Sequence, residues 1–337
     1  MSLRALGWSE PFADQATSAA LAQTPPVRIT QVHRNTLHIQ GVDLDTIIPS
    51  LQGVTVGDWL LFDKEAPRNS QLLSRKSLIK RRAPGHDRKE QLIAANLDTA
   101  FVVTSCNNDF SLARLERYVA MAHEAGVTPV IILSKIDLTT EASDFAAQAQ
   151  SISPQLSVVC LDARSPEAIE LLRPWCQAGQ TVAFLGSSGV GKSTLTNSLA
   201  GNEAIATQDV RASDDKGRHT TTGRQLHILP SGCAVLDTPG MREIQLTDVS
   251  IGLEETFADL HALTQNCRFN DCAHKTEPGC AVQAAVASGE VDVPRLQRWL
   301  KLVAEDAENT KFLANRKLRD RAKNKPEKSV TKYDSKK

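Results

Sequence analysis

At 337 residues the chain exceeds what one hydrophobic core usually organises, so two or three domains are expected. Its 39 Lys and Arg balance its 39 Asp and Glu. No apolar run approaches the ~18 residues that cross a bilayer, which argues against a membrane-spanning protein and for a cytoplasmic one. Seven cysteines, an odd number with three close together, favour a metal site in a reducing compartment over a disulfide framework.

Residues 1–26, rich in Ala, Gln, Ser and Thr and closing on Thr24-Pro25-Pro26, show little periodicity and predict a mobile extension. From Val27 to about Pro84, short runs such as Val27-Arg28-Ile29, Thr36-Leu37-His38-Ile39, Gly57 to Phe62 and Ser77-Leu78-Ile79 alternate with turn-forming stretches. This pattern predicts a small closed β-barrel occupying residues 27–90. Its exit carries Arg75, Lys76, Lys80, Arg81, Arg82, Arg88 and Lys89, a composition suited to a phosphate backbone.

After Gln91 strands alternate with helices, as a parallel sheet covered by helices requires, and this second domain is expected to span 91–248. Ser134-Lys135-Ile136-Asp137 follows the apolar strand Pro129 to Leu133 and has the form [NTS]-K-x-D. The Asp137 carboxylate can accept from N1–H and N2–H₂ of guanine, a donor pair that adenine does not offer. Lys135 would lie along the base, while Ser134 is shorter than the asparagine usual there. Leu161-Asp162-Ala163 ends the next strand, where the Ala163 N–H can meet the guanine carbonyl.

Gly186-Ser187-Ser188-Gly189-Val190-Gly191-Lys192-Ser193, followed by Thr194, satisfies G-x-x-x-x-G-K-[ST] between an apolar strand and a helix. The glycines let backbone N–H groups wrap phosphates, Lys192 reaches the terminal phosphates and Ser193 is placed to ligate Mg²⁺. Both base-side motifs precede this loop, so the nucleotide site assembles only if the fold is circularly permuted. An ATP-dependent kinase or transporter subunit is disfavoured by Ser134 to Asp137.

Lys216 to Thr222 is polar and aperiodic; one of its threonines should complete the Mg²⁺ shell, with Thr221 favoured over its neighbours. Asp237-Thr238-Pro239-Gly240 ends a strand: Asp237 would hold Mg²⁺ through water, and Gly240 N–H would sense the γ-phosphate. Where many GTPases carry a water-orienting glutamine stands Met241, so intrinsic turnover should be slow. We expect His219, or a group supplied by a partner, to position the water.

Beyond Asp248 helical stretches take over, predicting a third domain over 249–321. Here Cys267-x₄-Cys272-x-His274-x₅-Cys280 offers three thiolates and an imidazole, a closed set for one structural Zn²⁺. The final stretch Lys311 to Lys337 carries eleven Lys and Arg against three Asp and Glu, and residues 322–337 read as a basic tail suited to a polyanion.

These motifs, with Val32-His33-Arg34, Val56-Gly57-Asp58-Trp59, Ala94-Ala95-Asn96-Leu97-Asp98 and the Arg114 to Tyr118 stretch, give a chain that resembles the RsgA (YjeQ) family of circularly permuted GTPases from about Val27 to Arg321. The resemblance implies an N-terminal OB-fold, a central α/β P-loop GTPase and a C-terminal, mostly helical zinc domain. It further implies a GTPase using GTP/GDP and Mg²⁺ that binds the small ribosomal subunit and its rRNA and assists late maturation, with hydrolysis stimulated by that subunit and coupled to release. A monomer is expected. The alternative is an RNA-binding module regulated by nucleotide, with incidental turnover.

Overall fold

The computed structural model describes residues 2–82, 90–201, 224–237 and 248–323. Two short helices, α1 (Glu10–Ala13) and α2 (Ser18–Gln23), precede strands β1 (Pro26–Val32), β2 (Thr36–Gly41), β3 (Leu44–Pro49), β4 (Trp59–Leu61) and β5 (Gln71–Leu72). β1 pairs antiparallel with both β2 and β4, and Val27, Ile29, Leu37, Ile39, Ile48, Leu60 and Phe62 form a core between them. In β2 buried and half-buried residues alternate, as expected of a strand with one face on a core.

Residues 2–24 are not the mobile extension that their composition suggests. Leu6 and Phe12 are buried with Trp59, Leu61 and Leu73, and the Trp8 ring meets Trp59 edge-on at 4.9 Å. Their apolar residues are too irregularly spaced to show a period, yet they cover the β4 residue Trp59, which would otherwise face water. Arg28 staples this segment down. Almost fully buried, its guanidinium donates to the carbonyls of Leu6, Gly57 and Asn96, three segments far apart in sequence. Burial pulls its pKa down to about 10, which still leaves the side chain charged at neutral pH.

A hairpin of β6 (Leu78–Arg82) and β7 (Glu90–Ala95) connects the N-terminal strands to the next layer, so the expected boundary at residue 90 falls inside a paired element. Arg88 and Lys89 of the basic exit lie outside the described residues. There follow β8 (Thr99–Ser105), α3 (Leu112–Glu124), β9 (Thr128–Ser134), α4 (Ala142–Gln150), β10 (Ser157–Cys160), α5 (Glu167–Leu172), β11 (Thr181–Leu185), α6 (Lys192–Ala200), β12 (Arg224–Ile228) and β13 (Ala234–Asp237). The strand order is β10-β9-β8-β11-β13-β12, with β10 to β13 parallel and β12 antiparallel at the end, where it also pairs with β1. The central strands are buried on both faces, which is why they read as unbroken apolar runs.

The last segment contains α7 (Ser250–Thr256), α8 (Ala258–Thr264), α9 (Ala281–Ala287) and the long α10 (Val293–Lys323). It docks on α3. Gly252 lies so close that a Cβ there would stand 1.9 Å from Ala120 O, and its N–H donates to Glu124 Oε2 at 3.0 Å. Glu116, fully buried, receives Arg298 Nε at 2.8 Å, while Arg117 pairs with Glu305 at 2.7 Å. α10 continues past residue 321 to Lys323; residues 324–337 of the expected basic tail lie outside the described residues.

Candidate nucleotide and metal sites

Strands β9, β10 and β11 end at the same edge of the sheet, bringing the motifs around Asp137, Ala163 and Lys192 together despite their separation in sequence. The tie between them is direct. Ser134, fully buried at the end of β9, donates its hydroxyl to Val190 O at 2.6 Å, with Thr104 O at 3.1 Å as a weaker acceptor. Serine is thus long enough, because the phosphate loop itself comes within one hydrogen bond. Behind it, Gly191 has a left-handed backbone (φ +101°) beside Ala163, and Ser198 Oγ on α6 donates to Ala163 O at 3.2 Å. The base-side loop is therefore fixed to the phosphate side at two points.

The phosphate loop has the backbone its glycines permit. Gly186 (φ +140°) passes against β8, where a Cβ would sit 2.1 Å from Val103 O. Lys192 folds back, its ammonium donating to Gly186 O at 2.8 Å and to Ser187 O. Ser188 and Gly189 are exposed at the loop's crown, and Val190 is buried beneath it. Ser193 and Thr194 open α6, whose N–H groups and dipole face the loop. Asp237 ends β13, which runs parallel beside β11 with Leu236 opposite Ala183, so its backbone stands at the sheet edge one strand from the phosphate loop. His219, Thr221, Gly240 and Met241 lie outside the described residues.

On the base side, Lys135 holds a left-handed backbone (φ +59°) that turns the chain into a 3-10 turn, Ile136–Leu138. Asp137 is partly exposed there, and Arg164 Nη2 donates to its Oδ2 at 2.7 Å. A second arginine also reaches the site: Arg114 of α3 bonds Ser187 Oγ and pairs with Asp109 at 2.9 Å. Neither arginine carries a role in the sequence reading. Arg164 follows the base-side motif directly, and that adjacency was the available signal; Arg114 belongs to the Arg114 to Tyr118 stretch quoted for the family resemblance, but it reaches the loop across 73 residues of sequence and no local pattern tied it to Ser187.

The metal cluster is assembled. The ligand atoms of Cys267, Cys272, His274 and Cys280 all lie within 4.8 Å of one another. The distances Cys267 Sγ–His274 Nδ1, Cys280 Sγ–His274 Nδ1 and Cys267 Sγ–Cys280 Sγ are 3.6, 3.5 and 3.9 Å. A tetrahedral zinc with bonds near 2.3 Å to sulfur and 2.0 Å to nitrogen has edges of about 3.5–3.8 Å, so the four residues fit one structural Zn²⁺. His274 is aimed by its left-handed backbone (φ +57°), and its carbonyl accepts from Gln283 Nε2 at 2.6 Å.

Comparison with known proteins follows the same outline. The RsgA GTPase family model matches residues 72–247. An ABC transporter family model matches 173–329, a span that includes the phosphate loop but not Ser134 to Ala163. The small ribosomal subunit biogenesis GTPase RsgA of Mesorhizobium japonicum is 48% identical over 317 residues, 92% of this chain and 91% of that protein. The corresponding RsgA 2 of Vibrio vulnificus is 46% identical over 321 residues, covering 94% and 92%. Among solved structures, YjeQ from Thermotoga maritima superposes with a TM-score of 0.60 at 24% identity, over 83% of this chain and 97% of that one. The circularly permuted GTPase YloQ gives 0.58 at 23% identity, over 87% and 98%.

Proposed function

Because the chain belongs to the RsgA GTPase family, we propose that its GTP hydrolysis serves late maturation of the small ribosomal subunit, the particle for which its relatives are named. The observation that carries the nucleotide site is the Ser134 to Val190 hydrogen bond, which makes one site of a guanine motif and a phosphate loop 56 residues apart.

Within that site Asp137 accepts guanine N1–H and N2–H₂, Lys135 and Ile136 frame the base, and Ala163 N–H, next to Asp162, meets the guanine carbonyl. The N–H groups of Gly186 to Thr194 wrap the phosphates. Lys192, already held against the loop by two carbonyls, moves to the terminal phosphates. Ser193, Thr221 and Asp237 would hold Mg²⁺, which would supply positive charge against that developing on the transferred phosphoryl group. Gly240 senses the γ-phosphate, and His219 or a ribosomal group orients the attacking water.

The division into an OB-fold at 27–90, a GTPase domain at 91–248, a zinc domain at 249–321 and a basic tail at 322–337 draws support from a core of the N-terminal strands' own and from the Cys-His cluster, with residues 2–24 added to the first domain, while a single core runs from the sheet and α3 into α7 to α10. The barrel, zinc domain and basic segments contact rRNA, the protein acts as a cytoplasmic monomer, and the ribosomal subunit stimulates turnover and is released by it. No helix among the described residues is long and apolar enough to cross a membrane. The test is steady-state GTP turnover with and without purified small subunits. A marked rise is expected; equal rates at every salt concentration would overturn the coupling, leaving the nucleotide-regulated RNA-binding module.

A further inference from the structure

The carboxylate that reads guanine is engaged by a side chain of its own protein. Arg164 Nη2 donates to Asp137 Oδ2 at 2.7 Å. The arginine does not hang freely: its backbone N–H donates to Asp162 Oδ1 at 3.0 Å, and its Nε stands 3.5 Å from the same oxygen. Asp162 and Arg164 flank Ala163, whose carbonyl is anchored by Ser198. A short charged unit, Asp162-Ala163-Arg164, is thus set on the phosphate side and delivers its guanidinium to the base-side carboxylate.

Such a contact either competes with the base or prepares the carboxylate for it, and magnitudes separate the two. A carboxylate offers about four acceptor sites, and one donor on Oδ2 leaves enough for two from guanine. The Arg164 side chain is 70% exposed, and an ion pair in that setting contributes little. Two hydrogen bonds from guanine to a charged acceptor contribute more, so an arginine in competition would be displaced at small cost. Once the base covers Asp137 and removes its water, the attraction between carboxylate and guanidinium strengthens. The arginine therefore contributes more to the bound state than to the free one.

We propose that Arg164, steadied by Asp162, is a positioning residue for guanine recognition: it fixes the Asp137 carboxylate with its remaining acceptor sites toward N1–H and N2–H₂ of the base. This rests on Asp137 being the guanine acceptor, as proposed above.

The test is GDP affinity of the full-length protein with Mg²⁺, measured by titration for Arg164→Ala, Arg164→Lys, Asp137→Ala and the double variant. Arg164→Ala should weaken GDP by about three- to tenfold with an unchanged thermal midpoint, because the side chain is solvent-exposed. Lysine should restore part of the loss, and the effect should vanish in the Asp137→Ala background. GDP binding equal to or tighter than the parent's, or a loss of the same size without Asp137, would overturn the role; tighter binding would identify a competitor. Failure of the underlying reading looks different: Asp137→Ala would itself keep its preference for GDP over ADP.

Discussion

Replacing Ser134 by alanine removes one hydroxyl from the junction of the two nucleotide motifs. The group is fully buried and donates at 2.6 Å to Val190 O in a loop whose own residue Val190 is 1% exposed. A buried acceptor stripped of its donor costs about 1–3 kcal/mol. The bond exists in the free protein, so this loss is charged first to folding, lowering the thermal midpoint by about 2–4 °C per kcal/mol for a domain of this size. A second loss follows on binding, because a phosphate loop released from β9 must be reordered around the ligand. Fixing one residue's backbone takes about 1–2 kcal/mol, equivalent to roughly 5- to 30-fold in GDP affinity. Thermal unfolding with and without GDP, together with GDP titration, measures both parts. Ser134→Thr, which keeps the hydroxyl, should retain most of the affinity. If Ser134→Ala unfolded and bound GDP like the parent, the tie would not be what joins the motifs; a lower midpoint with unchanged affinity would confine it to packing.

Gly186→Ala should abolish nucleotide binding, since a Cβ would meet Val103 O at 2.1 Å, whereas Gly189→Ala, with open space around it, should cost only about 1–2 kcal/mol for its φ of +78°; GDP titration of the pair decides whether close approach or loop flexibility matters. Elemental analysis should find one zinc per chain, and Cys280→Ala or a strong chelator should lose it and unfold the region around α9, seen in hydrogen exchange. GDP binding should survive, because the base and phosphate contacts proposed for it lie between residues 134 and 194. Arg298→Ala should destabilise the docking of α10 on α3 by up to about 3 kcal/mol at pH 7 by leaving Glu116 buried beside a more distant Arg295 at 3.8 Å. Burial already holds the Glu116 carboxyl above its usual range, with Arg298 and Arg295 pulling it down. Without Arg298 the folded chain takes up a proton at a pH where the unfolded chain remains ionised, so the deficit should shrink as pH falls toward the ordinary glutamate range. Urea unfolding at several pH values checks the sign, and a deficit growing on acidification would contradict it.

Much of this protein was determined by residue pattern alone. The phosphate loop, the guanine motif and the Cys-His cluster are local strings whose chemistry depends on residue type and spacing over fewer than fifteen positions; the structure brings the first two within one hydrogen bond of each other and gathers the four Cys and His ligand atoms. The alternation from Ala100 to Leu185 likewise announces a parallel sheet, because strands buried on both faces must be apolar throughout. Local pattern misled where partners are remote. Residues 2–24 are aperiodic, yet they fold because Trp59 and Arg28 supply the apolar surface and the donors that they lack among themselves. Strand β12 escapes notice because its five residues alternate weakly and gain their place from β13 on one side and β1 on the other. The two arginines at the site belong to the same class. A guanidinium at the end of a long side chain acquires meaning only from the carboxylate or hydroxyl it reaches, and for Arg114 and Arg164 tertiary contact selected Ser187 and Asp137. Pattern specifies what a segment can bury or bind over its own length; which distant group completes it is decided by the packing of the whole chain.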